Sequence, residues 1–211
     1  SQTPSVRAPY GKECRALFYA PDGYALVGAD LSSLELVCLA HYMAKYDDGI
    51  YANEVSSGDV HTMNQKAAGL PDRASGKQFG YALIYGAGAA KIGSIVGGSE
   101  TEGKKLINKF MKAIPAIKML RQAVIHSMKT KGSLTGLDGR KLPPCRSEHS
   151  SLNFLLQSAG AILAKRATVI FYENLTRMGY EFGKDYALVA HVHDEIQVIC
   201  KKELADIVGR E

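Results

Sequence analysis

The sequence predicts an α+β fold: short β-rich runs near the two ends of the chain, with a long helical stretch between them. Three observations carry this. Residues 24–29 (YALVGA) form a short β-rich apolar run near the start. Two further runs, 186–192 and 196–200, lie near the end, separated only by His193-Asp194-Glu195, and read as a β-hairpin. Between these regions the apolar residues recur at helical spacing.

Composition sets the outer limits. At 211 residues the chain is one large domain or two small ones. Hydrophobic residues make up 46% and charged residues 22%, as in ordinary globular proteins. Net charge is +5, from 26 Lys+Arg against 21 Asp+Glu, which permits a polyanionic partner without requiring one. The 4 cysteines are scattered, with no CxxC pair and no zinc spacing, and read as reduced cytosolic thiols. No signal peptide and no run of membrane-spanning length is read from the sequence, so a cytoplasmic location without membrane attachment is expected. The chain opens on SQTPSVRAPYG and stops at VGRE within an expected helix, 202–208. Both ends read as cut, so a piece of a longer or split protein is expected.

In chain order, residues 1–23 read as loop, with Arg15 as a surface charge. The strand at 24–29 ends on Asp30, and helical periodicity starts just beyond it. Ser32 with Glu35 three residues on fits a capping box. Asp30 therefore sits at a rigid strand end, suited equally to a turn or to a metal ligand. Residues 47–61 read as a polar connection, with Gly58 or Asp59 opening a helix that carries His61 and runs to Gly69.

Pro71 and Asp72 signal another helix start. Arg73, Lys77, Tyr81 and Tyr85 then recur every four residues. At about 100° per residue such positions drift only about 40° per step, so they share one stripe. Two cations precede two rings along it, an order that suits phosphates followed by sugar and base. An ordinary amphipathic helix with two snorkelling cations also fits. Gly76 and Gly80 lie inside this helix, at about 1 kcal/mol each relative to Ala, which close approach of another chain or a ligand would rationalise.

Further helices are expected over 91–131, capped by Ser99 or Thr101 and interrupted at Pro115. Their lysines form a solvated face or a nucleic-acid contact. Residues 132–147 read as hairpin or loop, and a long helix follows over 148–177. His149, Asn153 and Gln157 step by four along it as a polar stripe, able to bond base edges or neighbouring groups. At the hairpin tip, Asp194 and Glu195 fit either a solvated turn or half of a divalent-metal site.

Together these pieces resemble DNA polymerase family A, the bacterial polymerase I and phage replicative group. DLSSLELVCLAH (30–41) is similar to motif A, RASGKQFGYALIYG (73–86) to the motif B fingers helix, and VHDEIQV (192–198) to motif C, in the family's order. GDVHT (58–62) and NFLLQSAGA (153–161) also resemble family segments, most like the phage branch.

The resemblance implies a palm, an antiparallel sheet with helices, formed by residues 1–43 and 152–211, with an inserted helical fingers subdomain over 44–151. It implies a template-directed DNA polymerase that adds dNTPs to a primer 3′-hydroxyl by two-metal chemistry. Asp30, Asp194 and the Leu31 carbonyl would hold two Mg²⁺ ions, with Mn²⁺ a substitute, and Glu195 would be a lesser acidic group nearby. Arg73, Lys77 and His61 would hold the triphosphate, with Lys77 also the proton donor to pyrophosphate. Tyr81 would pack on the sugar, with Glu35 crowding its 2′ position. Arg15, Tyr85, Gly86, His149, Asn153, Gln157 and His193 would face primer–template DNA. A separate thumb and 3′–5′ exonuclease polypeptide is an implied partner, and a phage-encoded protein would act in the host cytoplasm.

The chain departs from the family pattern at Val37, where motif A usually has Arg, at Gly76 and Gly80, and in a shortened stretch near 131–136. Other readings are a non-catalytic remnant of the same fold, a single-subunit RNA polymerase, and an unrelated metal hydrolase. The joint presence of Asp30, Asp194, Arg73, Lys77 and Tyr81 argues against the first. Glu35 and Glu195 favour DNA over RNA synthesis, and the hydrolase has no use for the Arg-Lys-Tyr-Tyr stripe.

Overall fold

The computed structural model describes residue 6, residues 8–145 and residues 150–211. The chain forms two compact units, one of Ser1–Ser32 with Leu163–Glu211 and the other of Ser33–Ile162.

The first unit holds the sheet. Strands β1 (Tyr24–Asp30), β2 (Tyr186–Val192) and β3 (Glu195–Lys201) lie in the order β1-β3-β2, both pairs antiparallel. This is the expected α+β architecture. The central strand is the second arm of the hairpin, so the distant N-terminal strand pairs with it directly. Register is set by the buried face, where Val198 and Cys200 of β3 join Tyr186 of β2. Phe171 and Leu175 close this core from the C-terminal part of helix α9 (Ser151–Arg177), and Val208 adds to it from the last short helix. The hairpin is one residue tighter than the sequence predicts. Glu195 is already in β3, leaving His193-Asp194 as the turn, with His193 at φ 56. The loop expected over 1–23 contains a short helix α1 (Gly11–Ala16), which carries Arg15.

The second unit is helical: α2 (Leu34–Asp47), α3 (Ile50–Ser56), α4 (Val60–Ala68), α5 (Arg73–Ile84), α6 (Ala89–Ser94), α7 (Glu100–Ala113) and α8 (Pro115–Lys131), with the first part of α9. Its core includes Leu36, Leu39, Met43, Tyr51, Phe79, Ile92, Phe110 and Leu156, with Phe79 and Phe110 edge to face at 5.0 Å. Helix α3 replaces part of the expected polar connection. The Asp47 carboxylate accepts from the Gly49 and Tyr51 amides, and Tyr51 is buried, its hydroxyl donating to Asn64 Oδ1 at 3.3 Å. The Ser32–Glu35 capping box does not form. Ser33 is the N-cap, in a left-handed conformation with no side-chain cap. Helix α9 meets the length and apolar composition of a membrane span, which the sequence reading did not register. Leu155, Leu156, Ala159, Ala164, Phe171 and Leu175 along it are buried, and 33% of its most apolar window lies inside the protein.

The glycines of α5 are packing residues. A Cβ on Gly76 would lie 2.4 Å from the His61 carbonyl oxygen, and one on Gly80 would lie 2.8 Å from Asn64 Nδ2. Both targets are on α4, so glycine permits the close approach of α4 and α5. Gly76→Ala should therefore destabilise the protein by about 1–3 kcal/mol despite alanine's better helix propensity. Thermal melting checks this, and an unchanged or raised Tm would show that the helices can part without strain.

Candidate functional site

The sheet brings its carboxylates to one end. Asp30, the last residue of β1, pairs directly with Glu195, the first of β3. The Leu31 amide donates to the Asp194 carbonyl at 3.0 Å, tying the strand end to the hairpin turn. Asp30, Leu31 and Asp194 line a cavity of about 60 Å³, together with His191 and the small Ala164 and Ala167 of α9. Glu195 is exposed and accepts from the Gln197 side-chain amide two residues along the same face. Gly28 makes room for that amide, since a Cβ there would meet Gln197 Nε2 at 2.6 Å.

Like charges directly opposite on paired strands destabilise a sheet. The Asp30–Glu195 pairing is therefore a local cost that a cation would relieve. Among the described residues no group of three or more His, Cys, Asp or Glu side chains is placed to hold a metal alone. Two carboxylates beside a small cavity are an oxygen donor set that suits Mg²⁺, which commonly takes one or two carboxylates and completes its shell with water and substrate phosphates. The residues fit the ion.

The second unit carries the cationic and aromatic stripe. Asp72 caps α5, accepting from the Ser75 amide at 2.8 Å. Arg73 and Lys77 are exposed in the first turns of the helix. Tyr81 and Tyr85 stack with centroids 6.5 Å apart and planes at 19°. The Tyr85 hydroxyl donates to Glu35 Oε1 at 2.5 Å, so Glu35 bridges α2 to this stripe. His61, in the first turn of α4, lies 6.2 Å from the Tyr81 ring. The structure thus assembles Arg73, His61, Tyr81, Tyr85 and Glu35 from three helices.

His61 Nδ1 is buried without a hydrogen-bond partner among the described residues. Burial, then the positive charges of Arg73 and Lys77, hold the imidazole below its ordinary pKa of 6.5, with Asp59 opposing. The unfolded chain therefore binds this proton more readily than the folded one. The neutral form's stabilising contribution is intact above about pH 6.5 and is lost as pH falls below it. Tm should drop more between pH 7.5 and 5.5 in the native protein than in His61→Gln; equal drops would mean that His61 is not held neutral.

The remaining predicted residues are dispersed. Arg15 is exposed on α1, and His193 is exposed at the hairpin turn. Gly86, at φ 73 after α5, lines a cavity of about 370 Å³ in the helical unit. Asn153 and Gln157 lie on α9, Gln157 exposed and Asn153 with a buried Oδ1 that has no hydrogen-bond partner among the described residues. His149 lies outside the described residues. The sequence reading missed Asp59 as a partner of Arg73: its Oδ2 accepts from Arg73 Nε at 2.7 Å. The only signal was its N-cap position in GDVHT.

Residues 2–210 match the model of DNA polymerase family A. The chain is 44% identical to the DNA-directed DNA polymerase of Enterobacteria phage T3, over 96% of this chain and 32% of that protein. It is 44% identical to the enzyme of Escherichia phage T7, over 99% and 33%. DNA polymerase I of Pseudomonas aeruginosa is more distant, at 28% identity over 96% and 24%. The chain thus spans about a third of the length of the phage relatives it matches. The POL domain of Pol1 from M. smegmatis, solved in complex with DNA primer-template and dNTP, has the same fold. Its TM-score is 0.82 at 20% identity, over 99% of this chain and 39% of that one.

Proposed function

From the premise that this chain belongs to DNA polymerase family A, we propose that it is the catalytic portion of a template-directed DNA polymerase. Its substrates are dNTPs and primer–template DNA. The observation that supports this most is the convergence of Asp30 and Asp194, far apart in sequence, on one sheet end through the Leu31–Asp194 bond.

In this reading the palm comprises residues 1–43 and 152–211, and the fingers 44–151. Asp30, Asp194 and the Leu31 carbonyl hold the Mg²⁺ ions. When bound, Mg²⁺ supplies Lewis-acid activation of the primer 3′-hydroxyl and neutralises charge on the phosphates. Arg73, Lys77 and His61 bind the triphosphate, and Lys77 delivers a proton to the departing pyrophosphate. Tyr81 packs on the sugar and Glu35 crowds its 2′ position. Glu35 is well set for that role, because the Tyr85 hydroxyl fixes its carboxylate. Tyr85 and Gly86 meet the templating base, while Arg15, His149, Asn153, Gln157 and His193 face the duplex. Glu195, engaged by Gln197, tunes the charge beside Asp194. In this reading the protein works in the cytoplasm, the host's if it is phage-encoded.

Primer extension with dNTPs or rNTPs tests this reading. Extension with dNTPs only is expected, with Glu35→Ala relaxing the exclusion of rNTPs. Equal extension with rNTPs by the native protein would favour the RNA polymerase reading.

A further inference from the structure

The first turns of α4 and α5 are linked through one carboxylate, Asp59. Its Oδ1 accepts from the His61 and Thr62 amides at 3.2 and 3.3 Å. Its Oδ2 accepts from Thr62 Oγ1 and from Arg73 Nε, both at 2.7 Å. The bonds to His61 and Thr62 fix the carboxylate to the start of α4, and the bond to Arg73 passes that fixity to the guanidinium. The side chains of Arg73 and Asp59 are 59% and 41% exposed, so the pair does little for stability. Its effect is geometric. A guanidinium held by Nε keeps both terminal NH₂ groups for an anion, with its rotamer already chosen. The hydrogen bonds from Arg73 and Thr62 hold the Asp59 carboxyl far below the usual carboxylate range, so the anchor stays ionised at any working pH. The same carboxylate caps the turn that bears His61.

We propose that Asp59 is a positioning residue, which presets Arg73 and His61 as a ready cradle for the phosphates of an incoming nucleotide. This rests on the nucleotide-binding reading of the α5 stripe. It also explains why an acidic group stands beside cations meant for an anion: it orders one of them at its Nε edge and leaves the other edge open.

The test is Mg²⁺-dependent dNTP binding by the protein and its Asp59→Asn, Asp59→Ser, Arg73→Ala and Asp59→Asn/Arg73→Ala variants. Asn and Ser both cap helices well, so the start of α4 is kept. The cap amides and Arg73 use different oxygens of Asp59, so an Asn whose one oxygen faces the cap turns its NH₂ toward Arg73. Ser is too short to reach Arg73. Each should weaken dNTP binding about threefold to tenfold, the scale of pre-ordering one flexible side chain. In the Arg73→Ala background the Asp59 change should add nothing, because the substitute keeps the cap that bears His61 and the rest of the effect passes through Arg73. A purely structural role would persist there undiminished and would overturn the proposal. Unchanged or tighter binding by Asp59→Asn would do so too, the latter marking Asp59 as a competitor for Arg73. If Arg73→Ala itself binds dNTP like the native protein, the nucleotide reading of the stripe fails, and this inference falls with it.

Discussion

Asp30→Asn and Asp194→Asn are each expected to lower primer extension by at least about 10³-fold, because a metal site contributes several kcal/mol of transition-state stabilisation and each 1.36 kcal/mol is tenfold in rate. The same changes should leave the protein folded, with a cooperative thermal melt. Asp30 stands opposite Glu195 at the sheet end, so neutralising it removes a like-charge pair. Loss of activity with the fold retained marks residues held for chemistry. Primer extension and thermal melting of the same samples check both halves. If activity fell only together with the fold, the carboxylates would be structural.

Lys77→Ala is the second large effect. In its proposed role as proton donor to pyrophosphate it should be worth about 10²–10⁴-fold in kcat. Lys77→Arg keeps the positive charge but not a readily transferable proton, so it should restore dNTP binding more than kcat. Arg73→Ala should act chiefly on KM, since the proposed contact with the triphosphate would be made in the ground state as well. Steady-state kinetics separate these outcomes. Full kcat in Lys77→Arg would remove Lys77 from proton transfer and leave it a charge alone.

The strands were legible because their β-rich runs are bounded by turn residues and because Asp30 and the His193-Asp194 turn punctuate them. The α5 stripe was legible because a four-residue period of large side chains survives folding unchanged. What escaped was tertiary. Helix α3 depends on the Asp47 cap and on burial of Tyr51 against Asn64, neither of which appears as periodicity in so short a run. Glu35 looked like half of a capping box because the local spacing is right, yet its carboxylate accepts from Tyr85 on another helix. Gly76 and Gly80 signal a close approach, but of α4 in the same chain rather than of another chain or a ligand. Asp59 was visible as a helix start, but its bond to Arg73 exists only once α4 and α5 pack.

The most direct test of the account is single-nucleotide addition. Purified protein, with and without a candidate thumb and exonuclease polypeptide from the same source, is given Mg²⁺ and primers on four templates that differ only in the templating base. Each dNTP is then supplied alone. The account predicts addition of the complementary dNTP on each template, dependent on Mg²⁺ and absent in Asp194→Asn. A folded protein that adds no nucleotide in either setting and binds no dNTP with Mg²⁺, or one that adds nucleotides without regard to the template, would contradict it.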